Sequence, residues 1–187
     1  MSDTSLETPE AATATRPARL HHTAYVTRDQ AATRAFYEDL VGLPLVATWK
    51  EQDGAGDTTR SYVHTFYALE DGSALAFFQF ADPADQDRMG PEIPFSPAIH
   101  VALKVSLATQ DAIAERLEQA AWKPEATSIH DHGYCRSLYT RDPNGMLLEL
   151  TADVDGVEAI NATRRASARA DLEAWLAGDH TTNNPYR

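Results

Sequence analysis

The feature that most constrains the fold of this chain is an internal repeat. The segment HTAYV from His22 matches HVALKV from His100, and FQFAD from Phe78 matches LELTAD from Leu148. The two histidines lie 78 residues apart (100 minus 22). A solenoid needs more and shorter repeats, so a single duplication of this length predicts two similar modules that share a core.

Each half of the chain has the same predicted order of elements: a strand, a helix and three strands. In the first half, the strand HHTAYVT precedes a helix that Asp29 can cap and Gly42 can end. Three strand-like segments follow, LPLVATW, RSYVHTFYAL and SALAFFQFA, with Asp-Gly turn signals between them. The pattern predicts a βαβββ module.

The second half repeats this order after a proline-rich segment, ADPADQDRMGPEIPFSP, which we predict to be an irregular linker. The strand AIHVALKV leads to the helix ATQDAIAERLEQAAW, and then to the segments KPEATSIH, GYCRSLYTR and MLLELT. The segment GVEAINATRRASARADLEAWLAG predicts an appended helix, for which we expect a docking face of Leu172, Trp175 and Leu176. The sequence therefore predicts an α+β fold with a C-terminal addition.

The repeat also predicts how the chain is divided. We expect a flexible tail over residues 1–17, one domain over 18–152, and a C-terminal helix and tail over 153–187. Within the domain, the two modules span 18–82 and 97–152.

Composition excludes several classes of function. The net charge of -12 disfavours binding to nucleic acid or to an anionic membrane. The chain has no apolar run of the roughly 20 residues that span a bilayer, and no apolar stretch near its start resembles a signal peptide. A single cysteine, Cys135, cannot form an internal disulfide. These features predict a soluble, cytoplasmic protein.

Polar residues at repeat-equivalent positions indicate a metal site. His22 and His100 occupy the same place in the first strand of each module, and Gln79 and Glu149 match in the last strand. Burying the carboxylate of Glu149 among leucines is costly unless a cation compensates its charge. Two imidazoles and a carboxylate suit a divalent transition metal and are the facial set of Fe(II) oxygenases. We expect the paired modules to enclose this site, with Gln79 as a candidate fourth ligand.

The quoted segments resemble a known superfamily. HHTAYVTRDQAATRAFYEDLVGLPLV, HVALKV and DPNGMLLELT are similar to the vicinal oxygen chelate superfamily, which includes glyoxalase I, methylmalonyl-CoA epimerase, fosfomycin-resistance proteins and type I extradiol dioxygenases. The resemblance covers roughly residues 18 to 152. It implies the paired βαβββ fold around a metal-binding cleft, and metal ligation by His22, His100 and Glu149.

A longer motif resembles the extradiol dioxygenases in particular. Their signature is met, in chain order, by His130, Leu138, Tyr139, Asp142, Pro143, Gly145 and Glu149. The resemblance implies that His130 is the acid/base and that Tyr139 orients the substrate. His132 is an alternative to His130, and Phe77 and His132 are candidates to line the substrate pocket.

These resemblances together imply an Fe(II)-dependent, extradiol-type dioxygenase that uses O2 and a small catechol or related vicinal-oxygen substrate, in a homodimer. Mn, Ni, Co and Zn are alternative metals. A glyoxalase- or epimerase-type lyase or isomerase is the main rival, because a set of His22, Gln79, His100 and Glu149 is similar to that of methylmalonyl-CoA epimerase. A metal-free drug-binding protein is a weaker alternative, because such binders typically lack the metal ligands.

Overall fold

The first module is a four-stranded sheet with one helical segment on its face. The computed structural model describes residues 17–54, 59–122 and 127–186. The strands are β1 (His22–Val26), β2 (Leu45–Asp53), β3 (Arg60–Ala68) and β4 (Ala74–Phe80), in the order β1-β4-β3-β2. Of the three hydrogen-bonded strand pairs in this sheet, β1 with β4 is parallel and the other two are antiparallel.

The helical segment of this module begins and ends where the sequence predicts. Helix α1 (Gln30–Arg34) continues as a π-helical segment (Ala35–Val41). The Asp29 side chain caps it by accepting a hydrogen bond from the Ala32 amide at 2.9 Å. Gly42 ends it with a φ of 90°, a left-handed conformation that favours glycine.

The linker between the modules contains a helix, so the prediction of an irregular segment is wrong in part. Helix α2 spans Pro83–Met89, and the Asp82 carboxylate accepts hydrogen bonds from the Ala84 and Asp85 amides. A proline in the first turn loses no helical hydrogen bond, because amides there have no partner within the helix. The Asp-Pro pair is therefore a helix start rather than a break.

The second module repeats the first. Its elements are β5 (His100–Lys104), α3 (Leu107–Gln119), β6 (Ser128–Asp131), β7 (Cys135–Arg141) and β8 (Leu147–Asp153), with the strand order β5-β8-β7-β6. The prediction of two βαβββ modules is confirmed. Part of the predicted strand KPEATSIH, residues 123–126, lies outside the described residues, and so do residues 1–16 of the tail predicted over 1–17.

The two modules share one core, built from the helical sides of both sheets. Tyr37, Tyr67 and Phe77 from the first module pack in the same cluster as Leu148 and Leu150 from the second. The opposite face of each sheet lies away from this core, with His22 on the first sheet and His100 and Glu149 on the second.

Helix α4 (Val157–Leu176) confirms the predicted C-terminal helix, but not its predicted docking face. Leu172, Trp175 and Leu176 are 58%, 57% and 75% exposed. Val157 is the residue of this helix that is buried. Within the described ranges, no helix is both long and apolar enough to cross a membrane.

Candidate metal and substrate site

Strand pairing brings the predicted site residues of the second module to one face of its sheet. Glu149 on β8 lies opposite Ala102 on β5, which places it on the same face as His100, two residues earlier. Tyr139 on β7 lies opposite Glu149. His130 on β6 lies two residues from Ser128, the partner of Tyr139, and therefore also points to this face.

These side chains form a continuous series of polar contacts. His100 Nε2 lies 3.0 Å from Glu149 Oε2, and the Tyr139 hydroxyl donates to Glu149 Oε1 at 2.9 Å. His132 Nε2 lies 3.2 Å from the Tyr139 hydroxyl oxygen. Because the Tyr139 proton is directed to Glu149, His132 must donate its Nε2 proton to Tyr139. His132, the alternative to His130 as the acid/base of the motif, is thus the histidine that bonds to Tyr139.

His130 stands beside this series without joining it. Its ring centroid lies 5.6 Å from that of Tyr139, and its Nε2 lies 2.9 Å from Ser128 Oγ. The side chain is exposed, since β6 is the edge strand of the sheet. Both histidines line a cavity of about 290 Å³, together with Phe95, Pro97, Ser128, Tyr139 and Leu147.

The surroundings of Glu149 keep it ionised. Burial raises the pKa of this carboxyl, but hydrogen bonds from Ser137, Tyr139 and Thr151 and the nearby His100 lower it more, so the pKa lies below its usual value. Burial and the bond to Glu149 raise the pKa of Tyr139 to about 12. The site therefore pairs a carboxylate with a phenol that keeps its proton at neutral pH.

The orientation of His100 fits a metal ligand. Its Nδ1 lies 3.2 Å from the Pro97 carbonyl oxygen, which can only accept a hydrogen bond. Nδ1 therefore carries the proton, and in the neutral ring the lone pair of Nε2 faces the carboxylate of Glu149. Two acceptors that face each other at 3.0 Å need a cation, either a proton or a metal, between or beside them. His100 and Glu149 thus fit two neighbouring ligands of one ion.

His22 lies on the corresponding open face of the first sheet, among aromatic rings. Its ring centroid is 5.6 Å from that of Phe66 and 6.3 Å from that of His64. His64 stacks on Phe78 at 3.7 Å, and Trp49 packs against Phe66 at 4.9 Å. We call the four rings of Trp49, His64, Phe66 and Phe78 the aromatic face.

His64 is the least expected member of the aromatic face. It is only 7% exposed, and its Nε2 atom has no hydrogen-bond partner among the described residues. Burial lowers the pKa of His64, against a smaller opposing effect of Glu51, and so favours the neutral ring. His64 and Phe66 are two residues apart on β3 and so share a face, and Trp49 on β2 pairs with His64. The sequence could have predicted this cluster once the turn between β2 and β3 was placed.

Two predicted site residues lie on the other side of the first sheet. Phe77 is fully buried in the core, so the prediction that it lines a substrate pocket is wrong. Strand pairing puts Ala76, and not Gln79, at the position that corresponds to Glu149. Gln79 is on the opposite face from His22, and its amide donates to the Arg28 carbonyl at 3.0 Å.

The third predicted ligand does not join the other two within one chain. No three His, Cys, Asp or Glu side chains in the described part of the chain are placed to hold one metal ion together. The ring of His22 contacts the rings of His21, His64 and Phe66, all from the first module. The His21 and His22 Nδ1 atoms lie 2.8 Å apart and engage each other. The Nε2 atom of His22 takes no part in this contact.

The fold and this site agree with a family assignment. Residues 19–150 match the model of the Glyoxalase/Bleomycin resistance protein/Dioxygenase superfamily, so the chain belongs to this superfamily. No curated protein matches the chain.

Solved structures give the same fold. A glyoxylase/bleomycin resistance protein/dioxygenase domain from Frankia sp. EAN1pec superposes with a TM-score of 0.55 at 21% identity, over 75% of this chain and 96% of that chain. The fosfomycin resistance protein FosX from Listeria monocytogenes, complexed with Mn(II) and sulfate, gives a TM-score of 0.53 at 16% identity, over 77% and 99%. At these identities the likeness establishes the fold alone.

Proposed function

We propose that this protein is a metal-dependent, extradiol-type dioxygenase, which uses O2 to open the ring of a small catechol or related substrate with two adjacent oxygens. The observation that carries the proposal is the series of contacts from His100 through Glu149 and Tyr139 to His132. It combines two metal-ligand side chains with a protonated phenol and an imidazole at the wall of one cavity. The extradiol-like sequence motif contains Tyr139 and Glu149, and it offers His132 as the alternative to His130.

His22, His100 and Glu149 are the residues that would hold the metal, with Fe(II) favoured by the two-histidine, one-carboxylate set. A bound divalent metal would chelate the two adjacent oxygens of the substrate and lower the pKa of its hydroxyl group.

His22 has to reach the other two ligands from a second copy of the chain. It lies on the open face of the first sheet, whereas His100 and Glu149 lie on the open face of the second. Both faces lie outside the core that the described residues share, and a homodimer with a two-fold axis can bring the first face of one copy onto the second face of the other. Each dimer would then contain two complete sites.

The remaining residues supply proton transfer and orientation. Tyr139 has its hydroxyl on Glu149, and with a pKa of about 12 it acts as a hydrogen-bond donor rather than as a base. His132 holds the Tyr139 oxygen, and His130 faces the same cavity. Imidazoles exchange protons near neutral pH, so these two are the candidates to take a proton from the substrate hydroxyl and return it to the product.

The aromatic face supports a planar substrate. The ring of Phe66 lies beside that of His22, and Trp49, which packs against Phe66, is 52% exposed. In the dimer described above, this face would form the wall opposite the polar series. Exposed aromatic rings favour stacking with a flat ligand.

The reaction class can be tested by measuring which isotopes the product takes up from labelled O2 and from labelled solvent. Fe(II)-loaded protein and a catechol under ¹⁸O2 should give a ring-opened product that contains both labelled atoms, with no other oxidant or reductant consumed. Incorporation of solvent deuterium without ¹⁸O, from a substrate with an acidic carbon beside a carbonyl, would instead identify the isomerase or lyase alternative.

A further inference from the structure

The C-terminal part of the chain folds back onto the turn that carries His132. The match to the superfamily ends at residue 150, so α4 and the segment that follows lie beyond it. From α4, the guanidinium carbon of Arg164 lies 4.0 Å above the ring of Tyr134 and 5.5 Å from that of Tyr186. The two tyrosine rings are themselves 6.4 Å apart. A cation held between two aromatic rings is a directional contact.

The β6–β7 turn is closely packed against Tyr186 at Gly133. Gly133 has a φ of 74°, and a Cβ atom there would lie 3.1 Å from the Tyr186 carbonyl oxygen and 3.2 Å from the Tyr186 Cβ. The backbone of the C-terminal segment thus lies directly against the β6–β7 turn. Contacts from Arg164 and Tyr186 fix the turn from two sides.

The contact continues from the turn into the site. The Tyr134 ring stacks along the His132 ring, with centroids 6.1 Å apart and an interplanar angle of 29°. The His132 amide donates to the Cys135 carbonyl at 2.9 Å, which closes the turn. The His132 imidazole then holds the Tyr139 hydroxyl oxygen. Only Tyr134 and His132 separate Arg164 from Tyr139.

We propose that Arg164 and Tyr186 are positioning residues, which form a C-terminal clamp that keeps His132 in hydrogen-bond distance of Tyr139. The effect of the clamp on turnover rests on the proposed function, whereas its effect on the turn does not. Helix α4 buries little of its own surface, but it places Arg164 over Tyr134.

Amide exchange tests the clamp without any turnover. In Arg164→Ala, the His132 amide should exchange roughly ten-fold faster than in the unaltered protein, because opening of the turn needs less free energy. Arg165→Ala is the matched control: it removes the neighbouring, exposed arginine, about 100° away around the helix, and should leave exchange unchanged. Tyr186→Ala should reproduce the Arg164→Ala result. Unchanged exchange in both Arg164→Ala and Tyr186→Ala would overturn the proposal.

Turnover then separates positioning from a general loss of structure. Arg164→Ala should lower kcat several-fold with little change in KM, and Arg164→Lys should restore part of it. In a His132→Ala background, Arg164→Ala should cause no further loss, because the residue it positions is gone. An equal loss in both backgrounds would contradict the clamp. If no catechol is turned over by any variant, the proposed function fails, while the exchange result still decides whether the clamp exists.

Discussion

Glu149 shows how one residue links the apolar strand to the site. Its neighbours Leu148 and Leu150 belong to the shared core, whereas its own side chain, on the opposite face, meets Tyr139 and His100. The alternation of a strand makes both possible within three residues. The carboxylate is thereby held ionised and is available to a metal.

Two substitutions should separate the metal ligand from the residue that orients the substrate. Glu149→Ala should abolish metal retention, because it removes the carboxylate from the proposed ligand set. Tyr139→Phe should keep the metal and lower kcat by roughly a hundredfold, since it removes one hydrogen-bond donor. Metal analysis of the purified variants and steady-state kinetics check both results. Equal metal loss in the two variants would contradict this division of roles.

His64 predicts a pH dependence of stability. Its pKa is lowered in the folded protein, so the unfolded chain binds a proton more readily. Protonation of His64 therefore destabilises the fold: it has no effect on the free energy of unfolding above the unfolded pKa of about 6.5, and it lowers that free energy as the pH falls through this value toward the lower folded one.

His64→Phe should remove that contribution to the acid sensitivity and, at pH 7, should stabilise the fold by about 1 kcal/mol, because it eliminates a buried nitrogen without a partner. Urea unfolding at several pH values measures both effects. An unaltered pH profile in the variant would contradict the assignment of a buried, neutral His64.

The sequence predicted part of the site correctly, but it misplaced Gln79 because the repeat was aligned with the wrong spacing in the last strand of each module. His100, Glu149 and Tyr139 were predicted and lie together. Gln79 was aligned with Glu149 over 70 positions (149 minus 79), but strand pairing relates Glu149 to Ala76, 73 positions away. A shift of three residues reverses the face of a strand, which is why Gln79 points away from the site.

At the scale of elements, propensity and capping predicted most of the secondary structure. The Asp29 cap, the Gly42 stop and the later strands followed from local chemistry. Helix α2 was missed because its proline was read as a break, and the exposed face of α4 was not readable from an apolar spacing. A local sequence pattern shows that a helix has an apolar face, but it does not show what packs against that face. For the same reason it could not predict the contact of Arg164 with Tyr134, which are far apart in the sequence.

A buried hydrogen bond joins the π-helical segment of the first module to the turn before β8. The Tyr37 hydroxyl donates to Asp142 Oδ2 at 3.0 Å, and both residues are buried. Tyr37→Phe should therefore lower the free energy of unfolding by about 1–2 kcal/mol, because a buried carboxyl loses a donor. Tyr67→Phe is the matched control, since the buried Tyr67 hydroxyl has no partner of good geometry among the described residues. Denaturant unfolding should show a loss for the first variant only.

At the scale of the whole molecule, the two open sheet faces are the central feature. A single chain packs the helical sides of its modules together and leaves His22 on one outer face and His100 on another. The repeat predicted that these histidines occupy equivalent positions. It could not predict that they are kept apart, because equivalence in a repeat does not fix how the modules pack.

Mixing two inactive variants tests whether two copies share a site. His22→Ala and His100→Ala should each fail to turn over substrate, but mixed dimers contain one site with all three ligands. Random exchange of subunits should restore about a quarter of the activity, because half of the dimers are mixed and each has one of two sites intact. A mixture of His100→Ala with Glu149→Ala should restore none. Failure of the first mixture, with subunit exchange demonstrated, would place the site within one chain.

The most direct test of the proposed chemistry is oxygen uptake by protein loaded anaerobically with Fe(II), across a panel of substituted catechols. We expect uptake that depends on both substrate and metal, and that is absent in Glu149→Ala. Protein that retains the metal and consumes no oxygen with any member of the panel would contradict the dioxygenase assignment.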